Sequence, residues 1–243
     1  MIPVFRWEAP DPYEVAFSTR IGGVSDGPFE SLNLGILTGD EPDHVIENRR
    51  LLCEKGGAEP ERATMLWQQH GAGVVKATAD RGVMTAGFGH PPGDGLWTDE
   101  PGLAMMLITA DCLPVAVARA NGAGAALAVL HVGWRGLLAG IVQATLGKLG
   151  EGSLNAVIGP GIGPCCYEVG KEVATPFMDC YGAEVLHGRN LDMYASTEKA
   201  LYAAGCASVE RVEVCTFCHP DLFFSHRRDG ARTGRQGIVA RIR

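Results

Sequence analysis

Residues 103–136 read LAMMLITADCLPVAVARANGAGAALAVLHVGWRG, and this stretch decides the fold. Short apolar runs bounded by turn signals predict buried strands over 103–109, 113–118 and 125–130. Asp111, Cys112 and Pro114 interrupt the first two runs, and His131 closes the third. Two strand ends therefore carry Cys112 and His131 toward one edge. A thiol and an imidazole so placed are either a nucleophile–base pair or two metal ligands. Asp111 adds a carboxylate between apolar strands, which is costly unless it is paired or functional. It reads equally as a turn former bonding its own backbone ahead of Pro114.

Upstream, Ala63–Gln69 and Gly73–Ala79 read as two more strands, with His70 where they join. A cysteine with two histidines fits the three-protein-ligand zinc sites that keep a fourth position open. Sequence separation alone does not distinguish this from a buried apolar Cys112 and a His131 bonded to backbone.

The flanking elements are helices and short strands. Strands are expected over Val4–Trp7 and Val15–Thr19. Apolar positions at helical spacing predict helices over Asp43–Lys55, Leu137–Leu149, Lys171–Tyr181 and Asp192–Ala204. Gly82–Gly102 reads as a Gly/Pro-rich surface loop passing through Leu96-Trp97-Thr98. Strands are expected at 155–158, at 209–217 and over Gly237–Ile242. Strands and helices alternate irregularly, which points to a mixed sheet. The glycine-rich run Gly159–Cys166 fails both the dinucleotide and the P-loop patterns, so it reads as a turn. Cys215-Thr216-Phe217-Cys218-His219 has haem-attachment spacing but no export signal, and reads as spare thiols. Loop arginines include Arg20, Arg135, Arg227, Arg228, Arg232 and Arg235, whose planar forks suit phosphate.

With 243 residues, the chain is expected to form one domain over 1–243. A net charge of −7 supplies no basic footprint for nucleic acid or for an anionic membrane. An anionic substrate then needs a local basic pocket. The N-terminal residues lack a secretory pattern, and eight cysteines without a short disulfide framework suggest a reducing cytoplasm.

Nine blocks, in order, resemble the laccase-domain (YfiH-type, multicopper polyphenol oxidase-like) family. They are FSTRIGGVS (17–25), SLNLG (31–35), ENRRLL (47–52), WQQHG (67–71), TADCLPV (109–115), HVGWRG (131–136), IGPGIGPCCYEVG (158–170), CT (215–216) and FFSHRRDGARTGR (223–235). The resemblance implies an α+β fold, layered α/β/β/α with mixed sheets. It also implies a zinc site whose ligands fall on His70, Cys112 and His131. Gln69 and Val132 depart from the family's usual Val and Ala, next to ligands but without removing any.

The implied activity is phosphorolysis of purine nucleosides (adenosine, inosine, guanosine, methylthioadenosine), together with adenosine deamination. The expected partners are therefore purine nucleosides and phosphate. Copper is the alternative metal, because the family's older name is that of copper oxidases. A multicopper site needs many histidines, and this chain has seven in all. On this reading Arg20, then Arg49 or Arg227, hold phosphate. Arg135 also serves substrate binding, and Asp111 acts beside Cys112 as proton acceptor or ligand orienter. Two rival readings are a metal-free Cys112–His131 hydrolase or deamidase and a cell-wall precursor editing factor.

Overall fold

Strand Ala104–Thr109 shows how the sequence divides its apolar residues. Alternate side chains face opposite sides of a strand. Ala104 and Met106 join one buried cluster, while Met105 and Leu107 join another. A strand packed on both faces reads as an unbroken apolar run. The computed structural model describes residues 2–79, 82–84, 90–122 and 124–243.

In chain order the strands are β1 (Val4–Arg6), β2 (Tyr13–Ser18), β3 (Ala63–Thr64), β4 (Val74–Lys76), β5 (Gly95–Thr98), β6 (Ala104–Thr109), β7 (Leu113–Arg119), β8 (Leu127–Val132), β9 (Leu154–Ile158), β10 (Leu186–His187), β11 (Asn190–Leu191), β12 (Cys206–Arg211) and β13 (Gln236–Ile242). The α-helices are α1 (Pro42–Lys55), α2 (Trp134–Leu138), α3 (Ile141–Leu149), α4 (Lys171–Tyr181), α5 (Met193–Ala203) and α6 (His226–Asp229). One sheet has the order β1-β2-β13-β6-β3 and the other β12-β9-β7-β8-β5-β4. Both mix parallel and antiparallel neighbours: β3 pairs parallel with β6, and β12 parallel with β9.

The sheets face each other across a shared core that includes Phe17, Met105, Leu107, Ile238, Ala116 and Val129. Helix α1 covers the outer face of the first sheet, where Leu52 and Cys53 meet Met106 and Val239. Helices α3, α4 and α5 cover the second, where Val142, Phe177 and Leu201 meet Val117 and Leu130. The layering is thus α/β/β/α. Among the described residues no helix is long and apolar enough to cross a membrane.

Four expectations shift. The helix anticipated over Leu137–Leu149 is two helices, because Gly140 takes a positive φ of 85° between α2 and α3. The strand expected over Ala63–Gln69 stops at Thr64, and the chain then turns to present residues 67–71. Leu96-Trp97-Thr98, expected in a loop, lies in β5, where it pairs antiparallel with β8. Residues 85–89 of that expected loop lie outside the described residues. The strand expected at 209–217 is β12, which ends at Arg211 and frees Cys215 and Cys218 for a loop.

Candidate metal centre and its cleft

On β8, Leu127 and Val129 point into the core between the sheets, and strand alternation puts His131 in the same row. His131 is therefore buried at the edge of that core, opposite Pro114 of β7. Cys112 sits in the turn just before β7. It follows Asp111, whose backbone adopts φ 91°. His70 stands in the turn between β3 and β4, with φ 60°. The structure brings these three residues together, with one ligand atom from each lying within 4.8 Å of the others. The two imidazoles meet edge to face, their centroids 4.7 Å apart. Gly133 leaves the room, because a Cβ there would sit 3.1 Å from Cys112 Sγ and 3.3 Å from His70 Cδ2.

Asp94, fully buried immediately before β5, holds the group in place. Its Oδ1 lies 2.8 Å from His131 Nδ1, which leaves Nε2 facing the cluster. Its carboxylate also accepts the backbone N–H groups of Gln69, His70 and Gly71 at 3.1, 2.9 and 2.7 Å. One side chain therefore fixes the ring of one ligand and the turn that carries another. Gln68 completes the support with a two-way clasp on the backbone of Ile108, at 2.8 and 2.9 Å.

The electrostatics suit a cation. Burial raises the Cys112 thiol, but His131 and His70 more than reverse it, so the thiol titrates below its ordinary value. Burial lowers His131, and the Cys112 thiolate and Asp94 outweigh it in the opposite direction. A ready thiolate beside two imidazoles, one held by a carboxylate, is a donor set for a transition-metal ion with one position open, and zinc is among the ions it suits. The three residues fit the ion that the family resemblance implies. Among the described residues the group comprises these three side chains, and His226 lines the same cleft.

A cleft of about 430 Å³ opens over the three, lined by Gln68, Thr109, Asp111, Trp134, Arg135, Tyr167, His226, Arg227 and Arg235 among others. That is ample for a small-molecule ligand. The Arg227 guanidinium lies 5.1 Å over the Tyr167 ring, and Arg135 lies 4.2 Å over the Trp134 ring. Burial first, then the negative charges of Cys112 and Asp111, push the Tyr167 hydroxyl up to about 12. At neutral pH it is a proton-bearing donor. The buried Thr109 hydroxyl has no hydrogen-bond partner among the described residues.

Other expected residues are placed differently. Arg20 donates to the carbonyls of Glu30 and Pro220 and packs over Phe224, lining a separate cavity. Arg49, only 2% exposed, donates to the carbonyls of Leu34 and Val83. Neither lines the cleft, and both guanidinium groups hold loops to the body of the fold, although Arg49 does line an adjoining cavity. Asp111 does line it, but both carboxylate oxygens are engaged at 2.7 Å, by the Thr216 hydroxyl and the Arg227 N–H. It positions the Arg227 loop through the backbone N–H of Arg227.

Asp94, Gln68 and Tyr167 were not singled out from sequence, and Arg235 stood out there only as one of six loop arginines. Gly93-Asp94-Gly95 carries the one local signal, a carboxylate between glycines at the start of a strand.

Residues 14–243 match the family model described as multi-copper polyphenol oxidoreductase laccase. The purine nucleoside phosphorylase YfiH of Escherichia coli is 38% identical over 238 residues, covering 95% of this chain and 94% of that protein. The purine nucleoside phosphorylase PA4543 of Pseudomonas aeruginosa is 39% identical, covering 94% and 93%. The crystal structure of a Bacillus licheniformis hypothetical protein, YfiH, superposes with a TM-score of 0.90 at 29% identity, covering 99% of this chain and 96% of that one. On the family model and on these near-full-length relatives, the chain belongs to the YfiH-type laccase-domain family of enzymes.

Proposed function

We propose that this chain is a zinc-dependent purine nucleoside phosphorylase acting on adenosine, inosine, guanosine and methylthioadenosine, and that it also deaminates adenosine. The observation that carries this reading is the meeting of His70, Cys112 and His131 beneath a cleft walled by Arg135, Arg227 and Arg235. A metal-ligand set and three arginines share one cavity in a chain of net charge −7. Arg227 Nη1 donates to the Glu168 carbonyl and Arg235 Nη1 to those of Thr233 and Gly234, which leaves the other guanidinium nitrogens for an anion. That local reversal of sign suits phosphate.

In phosphorolysis a phosphate oxygen bonds to the anomeric carbon, and the bond to the purine nitrogen breaks. The electron pair leaves with the base, giving ribose 1-phosphate and free purine. His70, Cys112 and His131 would hold the ion, which supplies a Lewis acid with a position free of protein ligands. Arg227 and Arg235 hold the phosphate against the cationic sugar, with Arg135 beside them. Asp94 keeps His131 in one tautomer and orientation. The Tyr167 hydroxyl donates to an oxygen of phosphate or ribose.

The base has an adjoining cavity of about 230 Å³ that shares Gln68, Ile108 and Arg235 with the cleft. Its walls include Leu37, Met65 and Trp67, and it contains His90, neither of whose ring nitrogens has a partner among the described residues. Burial, then Arg49, lowers the His90 pKa, so the neutral ring offers one donor and one acceptor to a purine edge.

Incubating the protein with adenosine, with and without phosphate, separates the two activities. Adenine with ribose 1-phosphate reports phosphorolysis. Inosine with ammonia, formed without phosphate, reports deamination. Intact adenosine under both conditions rejects the proposal.

The line Asp94–His131–Cys112 specifically favours one second reading, a metal-free cysteine hydrolase or deamidase. Inhibition by a chelator that zinc restores favours the metal, whereas inhibition by thiol alkylation alone favours the dyad.

A further inference from the structure

A second group of side chains lies outside this chemistry. Cys165, Cys166, Cys215 and Cys218 place their Sγ atoms within 4.8 Å of one another. Strands β9 and β12 are parallel neighbours, so the loops that follow them leave the same edge of the sheet. Parallel pairing resumes between Gly161 and Cys215, and Thr216 N–H donates to the Gly161 carbonyl at 2.9 Å. The first loop then turns tightly, with the N–H groups of Cys166 and Tyr167 both on the Gly163 carbonyl, at 3.0 and 3.1 Å. That turn aims two adjacent cysteines at the C-x-x-C pair. The structure assigns to these four cysteines a second metal centre, a tetrathiolate site for a thiophilic divalent cation such as Zn²⁺.

The sulfurs are grouped closely enough to share one ion. Four sulfurs at about 2.3 Å from a tetrahedral zinc are about 3.8 Å apart. Here Cys218 Sγ lies 3.3 Å from Cys166 Sγ and 3.6 Å from Cys165 Sγ. Gly163 N–H donates to Cys215 Sγ at 3.2 Å, the kind of second-sphere bond that steadies a thiolate ligand. Gly163 also keeps the space open, since a Cβ there would lie 3.3 Å from Cys165 Sγ and 3.6 Å from Cys215 Sγ. Both loops reach the surface, where Cys165 and Cys218 are exposed, so an ion has a way in.

This centre would staple one wall of the catalytic cleft. Tyr167 follows Cys166 directly, and Thr216 lies between the paired cysteines. The Thr216 hydroxyl holds Asp111, and Asp111 holds the Arg227 N–H, both at 2.7 Å. Arg228 ties the same loop by donating to the carbonyls of Thr216 and Phe217 at 2.9 and 3.0 Å. The role is structural, since all four positions around the ion are taken by protein.

The test is metal stoichiometry on the full chain, stripped under reducing conditions and titrated with Zn²⁺ and then Co²⁺. The expected result is two ions per wild-type chain, with one retained by Cys112→Ala and one by Cys166→Ser/Cys218→Ser. Thiolate-to-Co²⁺ charge-transfer absorption should be strong in Cys112→Ala and several-fold weaker in the double serine variant, which has one thiolate ligand left. If the double variant fails to fold, the Cys112→Ala spectrum alone decides. One ion per wild-type chain, lost entirely in Cys112→Ala, overturns the assignment. So does a protein whose mass under the same reducing conditions shows these cysteines joined as disulfides.

Discussion

Asp94 Oδ1 lies 2.8 Å from His131 Nδ1, and the same carboxylate receives the N–H of His70 at 2.9 Å. One buried acid thus organises two candidate ligands from different sheet positions. Asp94→Asn should lower zinc affinity by about 10- to 100-fold, the usual cost of losing such an outer-sphere partner. Competition with a chromogenic chelator measures it. Unchanged affinity would mean that His131 needs no orienting group.

Gly133 leaves the space that allows the cluster to close. Gly133→Ala would press a methyl group on Cys112 Sγ and His70 Cδ2. Its φ of −90° tolerates alanine, so the fold should persist while metal occupancy falls. Metal content and thermal midpoint, measured on one sample, separate these effects.

Arg49 and Arg227 should differ in kind. Removing Arg49 leaves the buried carbonyls of Leu34 and Val83 without their donor. Arg49→Met should therefore cost about 1–3 kcal/mol of stability, with phosphate KM little changed. Arg227→Ala should raise phosphate KM by about tenfold or more with stability nearly intact, as loss of a charge-assisted hydrogen bond predicts. Denaturant unfolding and phosphate titration distinguish the two, and the reverse pattern would move the phosphate site to Arg49.

The Cys112 thiol titrates below its ordinary value because neighbouring imidazoles stabilise the thiolate. A depressed pKa extends the thiolate form to lower pH, so loss of reactivity follows only as pH falls below that lowered value. In the metal-free protein, alkylation at Cys112 should proceed fully at pH 7, where an ordinary thiol is mostly protonated. Zinc should protect it. Peptide mapping after a pH series of alkylation gives the answer.

Much of this centre was legible in the sequence because strands announce themselves. The runs at 103–109, 113–118 and 125–130 marked where Cys112 and His131 would emerge, and Gly71 marked the turn at His70. Asp94 was hidden, because a lone acid in a glycine-rich stretch resembles any turn former until β5 pairs with β8 and carries it to His131. Arg20, in a loop, and Arg49, on a helix, looked like phosphate binders because an arginine in a sequence advertises charge and not direction. Only the packed fold shows their guanidinium groups turned to backbone carbonyls. The four-cysteine cluster was masked for a similar reason: Cys165-Cys166 and Cys215–Cys218 lie on separate loops, and β9–β12 pairing joins them.

Phosphate-dependent release of purine base from inosine, measured together with zinc content for wild type and Cys112→Ala, tests the central claim most directly. The expected result is that Cys112→Ala loses one zinc per chain and nearly all base release, while its thermal midpoint stays close to wild type. A Cys112→Ala protein that lacks that zinc yet still releases base at the wild-type rate would contradict it.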